Sequence, residues 1–218
     1  MANEAARRSE REGPRVRDMP APRKSESVAG GAMQRLLAWP YRAILAFLVW
    51  TGVRPWQLTL LSPVFIVLCG WQIVTGNWLV AGFLLIVGGL LDVFDGSVAR
   101  HRGEDKRSGA FMDSVLDRVS DMILFSCLFW NLAEHGETLQ AALALLTLIV
   151  SLGVSQIRAE AEAVGIRLSE GLFQRLERML ALMIGLLIPG MMPAALVVLA
   201  ALGVFTVVQR GFTALSRA

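Results

Sequence analysis

The sequence predicts an all-α integral membrane protein: six transmembrane helices preceded by an amphipathic juxtamembrane helix, with both termini cytoplasmic. Three observations carry this reading. Apolar residues make up 55% of the 218, and mean hydropathy is +0.54, more than a soluble domain of this size carries. Those residues are gathered into runs near the ~20 residues needed to cross a bilayer. Lys and Arg fall on alternate connections, as the positive-inside rule requires.

The elements follow in order. Residues 1–30, "MANEAARRSEREGPRVRDMPAPRKSESVAG", are polar and nearly free of large apolar groups. Such a segment buries too little surface to fold alone, so it is read as a disordered cytoplasmic tail before a membrane domain over 31–218. Its first apolar run lies too far from Met1 for a secretory signal. The stretch "MQRLLAWPYRAILAFLVWTG" (33–52) mixes apolar residues with Arg35 and Arg42. It is expected to lie on the inner membrane surface as an amphipathic helix broken at Pro40. Six spans come next, at about 57–75, 77–99, 109–133, 138–158, 171–189 and 191–210. The connections after the first, third and fifth spans ("GN", "EHGE", "PG") hold no Lys or Arg. Those after the second and fourth hold Arg100, Arg102, Lys106 and Arg107, then Arg158, Arg167, Arg175 and Arg178. The protein is therefore expected in the cell (inner) membrane, multi-pass, with its basic side cytoplasmic. Cys69 and Cys127 lie within apolar runs and are read as buried and unpaired.

The third and fifth spans are apolar at their outer ends and polar at their inner ends. Charges there would cost roughly 2.5–3.5 kcal/mol each against lipid, so they are expected to line a wet cavity open to the cytoplasm. Asp92 and Asp95 are three apart near the inner end of the second span. Asp113 and Asp117 are four apart at the start of the third. Residues three or four apart share a helix face, and the loop at 100–108 is expected to fold the two helices against each other. Four converging carboxylates would repel unless cations joined them. Hard divalent ions, Mg²⁺ or Mn²⁺, take oxygen ligands, and two can share such a cluster. Gly96, Ala99 and Gly109 leave room beside the acids for a bulky ligand, and Arg100 ends the span where it can pair with phosphate. Together these features point to a diphosphate substrate. Asp121, one turn past Asp117, is read as structural and paired with Arg118.

The full spacing, D-x2-D-G-x2-A-R-x8-G-x3-D-x3-D, is filled by Asp92, Asp95, Gly96, Ala99, Arg100, Gly109, Asp113 and Asp117. It resembles the signature of the CDP-alcohol phosphotransferases, over about residues 31–215. The resemblance implies a homodimeric membrane transferase in which an alcohol attacks the diphosphate of CDP-diacylglycerol and CMP leaves. It implies that the four aspartates bind two divalent ions and that Asp117 also takes the proton of the attacking hydroxyl. Gly96 and Arg100 would contact the CDP moiety. "GVRPWQLT" (52–59) is similar to the family's Gly-x-x-Pro-x-x-x-Thr segment, which puts Thr59 beside the nucleotide. Lys106 stands where related enzymes often carry Thr or Ser, and Trp56 where they often carry Asp or Asn.

The acceptor is read from "SQIRAEAEAVGIRLSEGLFQRLERM" (155–179) and the last span. Arg158, Arg175, Arg178 and Arg210 aimed at one cavity suggest an anionic acceptor, most simply a water-soluble phosphorylated alcohol. The pattern resembles the phosphatidylinositol-phosphate synthase branch, which would put Ser155, Arg158, Arg178 and Arg210 at inositol phosphate. Gln156, Glu160 and Leu176 depart from that branch's pattern. The nearest alternative is a phosphatidylglycerophosphate synthase using glycerol 3-phosphate. A cation transporter is the rival from another class, because intramembrane acids often mark ion paths. No feature of the chain points to nucleic acid.

Overall fold

The structure is a computed structural model that describes Val16, Met19 and residues 30–103, 107–166 and 175–217. The described residues form seven α-helices: α1 (Gly30–Trp50), α2 (Pro55–Val74), α3 (Trp78–His101), α4 (Arg107–Glu134), α5 (Thr138–Ala163), α6 (Arg175–Leu187) and α7 (Met192–Arg217). Helices α2, α3, α5 and α7 are long and apolar enough to cross a membrane. Helix α4 has the length, at 28 residues, but carries the charged stretch 113–121. Helix α6 has 13 residues, roughly 20 Å of helix. The part of the fifth predicted span before Arg175 lies outside the described residues.

Short-range chemistry sets the helix ends. Pro55 opens α2 with a backbone angle already suited to helix, and the Gln57 side chain accepts a hydrogen bond from the Arg54 N–H at 2.9 Å. At the other end of the bundle, Gly76 and Gly136 take φ of +78° and +77°. This left-handed backbone stops a helix at little cost only for glycine.

Helices α2 to α7 alternate in direction. Ser62 donates to the Gly88 carbonyl at 2.9 Å and Cys69 to the Ala81 carbonyl at 3.2 Å, so α2 and α3 are antiparallel. Asn131 donates to the Val74 carbonyl at 3.3 Å, joining the last turns of α4 and α2, which are therefore parallel. Arg210 donates to the Val154 carbonyl at 3.2 Å, making α5 and α7 parallel too. Consequently all the acidic helix ends lie at one end of the bundle. Ile66, Leu85, Leu128, Leu182 and Leu199 fill its centre. Trp71, Phe83, Trp130, Ile149 and Phe205 are exposed on its outside. A bundle apolar both within and without is suited to lipid rather than water.

Close packing of α3 on α6 depends on Gly82. A Cβ there would meet the Leu187 Cδ2 at 2.5 Å and Cγ at 2.7 Å. Gly82→Val is therefore expected to destabilise the fold by about 1–3 kcal/mol, read as a lower melting temperature of detergent-solubilised protein. Melting together with the unchanged protein would contradict this helix contact.

One expectation changes at the N-terminal side. Helix α1 runs unbroken through Pro40, because helix-forming residues on both sides outweigh one missing backbone donor. It packs on α3. Tyr41 stacks on Phe94 with ring centroids 5.2 Å apart and donates to the Ser97 hydroxyl at 2.5 Å. Leu45 and Ala46 are buried with Leu58, Phe94 and Val98, while Trp39, Phe47 and Trp50 face outward. Met19 is 3% exposed in that same cluster, with Val16 packed against it. Val16 and Met19 are among the few sizeable apolar residues in 1–30.

Candidate active site

The acidic cluster forms across a gap, not along a helix seam. Among the described residues the α3 and α4 backbones stay more than 8 Å apart, and α2 packs on both. The expected back-to-back pairing of these two helices is thus replaced by a cleft with α2 as its wall. Sequence spacing gives the face of each helix but not the distance between helices. Across this gap Asp92, Asp113 and Asp117 each bring a carboxylate oxygen within 4.8 Å of the others. Asp113 is exposed and the other two are part-exposed. An all-carboxylate donor set of this size could hold a hard divalent cation such as Mg²⁺ or Mn²⁺.

The structure does not bring Asp95 into that group. Asp95 is buried, within hydrogen-bonding reach of the Thr59 hydroxyl and the Gly96 N–H, and in the electrostatic range of Asp113. Thr59 also reaches the Pro55 carbonyl at 3.2 Å. Gly96 allows Arg100 to fold back over the helix: a Cβ on Gly96 would lie 3.2 Å from an Arg100 terminal nitrogen. Arg100 then donates to the Ser97 hydroxyl at 3.1 Å, and Ser97 donates to the Val93 carbonyl at 2.8 Å. The Tyr41–Ser97–Arg100 chain escaped the sequence reading. Its only local signal is the spacing of Ser97 three before Arg100, and Tyr41 comes from a distant helix. Ala99 is part-buried, and open space surrounds Gly109. Lys106 lies outside the described residues.

The arginines divide into two groups. Arg175 sits on the acids, touching Asp92 at 3.4 Å and pairing with Asp117. It was expected at the acceptor phosphate, but three crowded carboxylates attract the nearest cation. Arg178 and Arg210 are 6% and 5% exposed. Arg178 pairs with Asp121 at 3.0 Å and is in electrostatic range of Arg175, and Arg210 is in range of Arg178 and Arg158. Arg158 is largely exposed and paired with Glu162 at 2.9 Å. The Ser155 carbonyl accepts a long bond from Arg118 at 3.5 Å. The expected Asp121–Arg118 pair does not form. Arg118 turns to Ser114 instead, at 3.1 Å. Asp121 accepts from Arg178 and, at 2.5 Å, from Ser151.

A family model for CDP-alcohol phosphatidyltransferase matches residues 53–209. The archaetidylinositol phosphate synthase of Methanothermobacter thermautotrophicus is 40% identical over 141 residues, covering 62% of this chain and 70% of that protein. The phosphatidylinositol phosphate synthase of Corynebacterium glutamicum is 36% identical over 166 residues, covering 72% and 76% respectively. The crystal structure of the Mycobacterium tuberculosis phosphatidylinositol phosphate synthase with CDP-DAG bound superposes with a TM-score of 0.72. It is 30% identical and covers 79% of this chain and 92% of its own. A second structure of that protein, in complex with manganese and citrate, also gives 0.72, with the same identity, covering 79% of this chain and 87% of its own. The matched region contains the whole acidic cluster with Arg158, Arg175 and Arg178, and the helices are those of a membrane protein: the chain is an enzyme of the CDP-alcohol phosphatidyltransferase family.

Proposed function

We propose that the chain transfers the phosphatidyl group of CDP-diacylglycerol to inositol phosphate, giving phosphatidylinositol phosphate and CMP. One observation carries the reading. The buried Arg178 lies three residues along α6 from Arg175, which itself touches Asp92 and Asp117. An acidic site suited to a metal-bound diphosphate therefore adjoins a basic site suited to a second phosphate. The relatives named as inositol phosphate synthases agree with this choice. Glycerol 3-phosphate is the alternative acceptor. Membership in a transferase family removes the cation-transporter reading.

In this reading Asp92, Asp113 and Asp117, with Asp95, hold two divalent ions, Mg²⁺ or Mn²⁺. Such ions neutralise a diphosphate and ease departure of its nucleotide half. The residues do the rest. Gly96, Ala99 and Gly109 leave space for the CDP moiety, while Thr59, Arg100 and Lys106 bind it. Ser155, Arg158, Arg178 and Arg210 hold the acceptor's phosphate so that its hydroxyl lies in line with the diphosphate. The acceptor oxygen bonds to the phosphorus that carries diacylglycerol, the anhydride bond to CMP breaks, and Asp117 receives the hydroxyl proton. The membrane domain spans 31–218 with six transmembrane helices, acts as a homodimer, and keeps both termini and the cleft on the cytoplasmic side of the inner membrane. The alternating helix directions and the basic residues at the cleft end support that orientation.

A comparative acceptor assay tests the proposal. Purified protein with CDP-diacylglycerol and Mn²⁺ is expected to release CMP with inositol phosphate. Turnover of glycerol 3-phosphate with no response to inositol phosphate would assign the other acceptor. Arg178→Ala is expected to raise the acceptor KM by roughly 10–100-fold, the loss of a charge-assisted hydrogen bond, and to leave the KM for CDP-diacylglycerol unchanged.

A further inference from the structure

Resting on the acceptor reading above, we infer that Asp121 is a positioning residue that orients Arg178 toward the acceptor's phosphate. Asp121 lies one turn beyond Asp117 on α4, outside the family's spaced acids. Its Oδ2 accepts from Arg178 of α6 at 3.0 Å and from Ser151 of α5 at 2.5 Å. One carboxylate oxygen thus joins three helices. All three residues are deeply buried: Asp121 is 3% exposed and Ser151 wholly enclosed.

The pairing forms a ladder. Asp117 and Asp121, four apart on α4, take Arg175 and Arg178, three apart on α6. The first rung lies at the acidic cleft. The second lies one turn deeper, where Arg210 of α7 comes into electrostatic range of Arg178. Two guanidinium groups gathered in a buried site repel each other, and Asp121 is the anion that lets Arg178 stay there charged. A guanidinium is a rigid planar fork, so a carboxylate held at one edge also fixes where its other donors point. Ser151 fixes the carboxylate in turn. Elsewhere the helices are tied by neutral bonds, Ser62 to Gly88 near mid-bundle and Asn131 to Val74 at the far end. A charged tie is costly to bury, and here it stands where a fixed cation has a use.

The test is steady-state kinetics of the full-length protein in detergent with CDP-diacylglycerol and Mn²⁺, reading CMP release. Unchanged protein is assayed first on inositol phosphate and glycerol 3-phosphate, and the variants are compared on whichever it consumes. Refusal of both would overturn the acceptor reading itself, separately from any variant. Asp121→Asn is expected to raise the acceptor KM by about 10–100-fold, with kcat within about threefold and the CDP-diacylglycerol KM unmoved. The double variant Asp121→Asn/Arg178→Ala is expected to match Arg178→Ala alone in acceptor KM, since both act through one guanidinium. Ser151→Ala, which keeps the ion pair, is expected to shift the same parameter by roughly 3–10-fold and serves where Asp121→Asn does not fold. The inference is overturned if Ser151→Ala and Asp121→Asn leave the acceptor KM alone. It is equally overturned if kcat falls and both KM values rise together with a loss of thermal stability, or if the double variant's losses multiply.

Discussion

Asp117→Asn is expected to lower kcat by ~10²–10⁴-fold, the usual contribution of a positioned general base. The substitution keeps the side chain's shape and one oxygen but removes the group that takes the acceptor proton. Asp117 is suited to that role by its place. It belongs to the three-carboxylate group and pairs with Arg175, one turn of α6 before Arg178, so it lies between the acidic and basic sites. The complication is that Asp117 is also a candidate metal ligand, and losing a ligand slows an enzyme as well. Asp113→Asn separates the two effects. Asp113 is in the same group but is exposed and has no pairing with Arg175 among the described contacts. Raising Mn²⁺ should restore most of the activity of Asp113→Asn and little of that of Asp117→Asn. Recovery of both variants to the same extent would remove the base and leave Asp117 as a ligand only.

The helix positions and the grouping of Asp92, Asp113 and Asp117 were legible in the sequence because both rest on local rules. Charge on alternate connections orders the helices, and spacing of three or four gathers acids on a face. Among the described residues, helices α2 to α7 begin and end within a few residues of the predicted spans, apart from longer C-terminal ends on α5 and α7. What escaped depends on distances between helices. Arg118 is the near neighbour of Asp121 in sequence, but Arg178 reaches it from α6. Ser151 and Tyr41 join the site from α5 and α1, and no local period brings them there. The separation of α3 from α4 is the same kind of fact. Periodicity marked the faces carrying Asp92 and Asp113, but only the packing of α2 against both helices opens a cleft between them. Composition describes a segment as a whole and so does not mark Met19, while one apolar side chain is enough to join a buried cluster.

Removal of divalent cations is expected to abolish turnover, and the crowding of the acids is the reason. Two like charges about 4 Å apart repel by roughly 4 kcal/mol at the effective dielectric of a protein surface. Asp92, Asp113 and Asp117 make three such pairs, with oxygens all within 4.8 Å. Arg175 brings one positive charge to Asp92 and Asp117, which leaves the cluster net negative before any diphosphate arrives. A diphosphate entering that site adds further negative charge, so binding needs more cation than the chain supplies. Treatment with a chelator should therefore abolish CMP release, and added Mg²⁺ or Mn²⁺ should restore it. Asp92→Asn should raise the Mn²⁺ concentration for half-maximal activity by at least ~10–100-fold, the range seen when support for a metal ligand is lost. Its kcat should recover at saturating metal, because Asp117, Arg178 and Arg210 make no hydrogen bond or ion pair with Asp92 among the described contacts. Chelator-treated protein that turns over at the untreated rate would mean that Arg175 alone balances the acids, and the diphosphate would then need another home in the cleft.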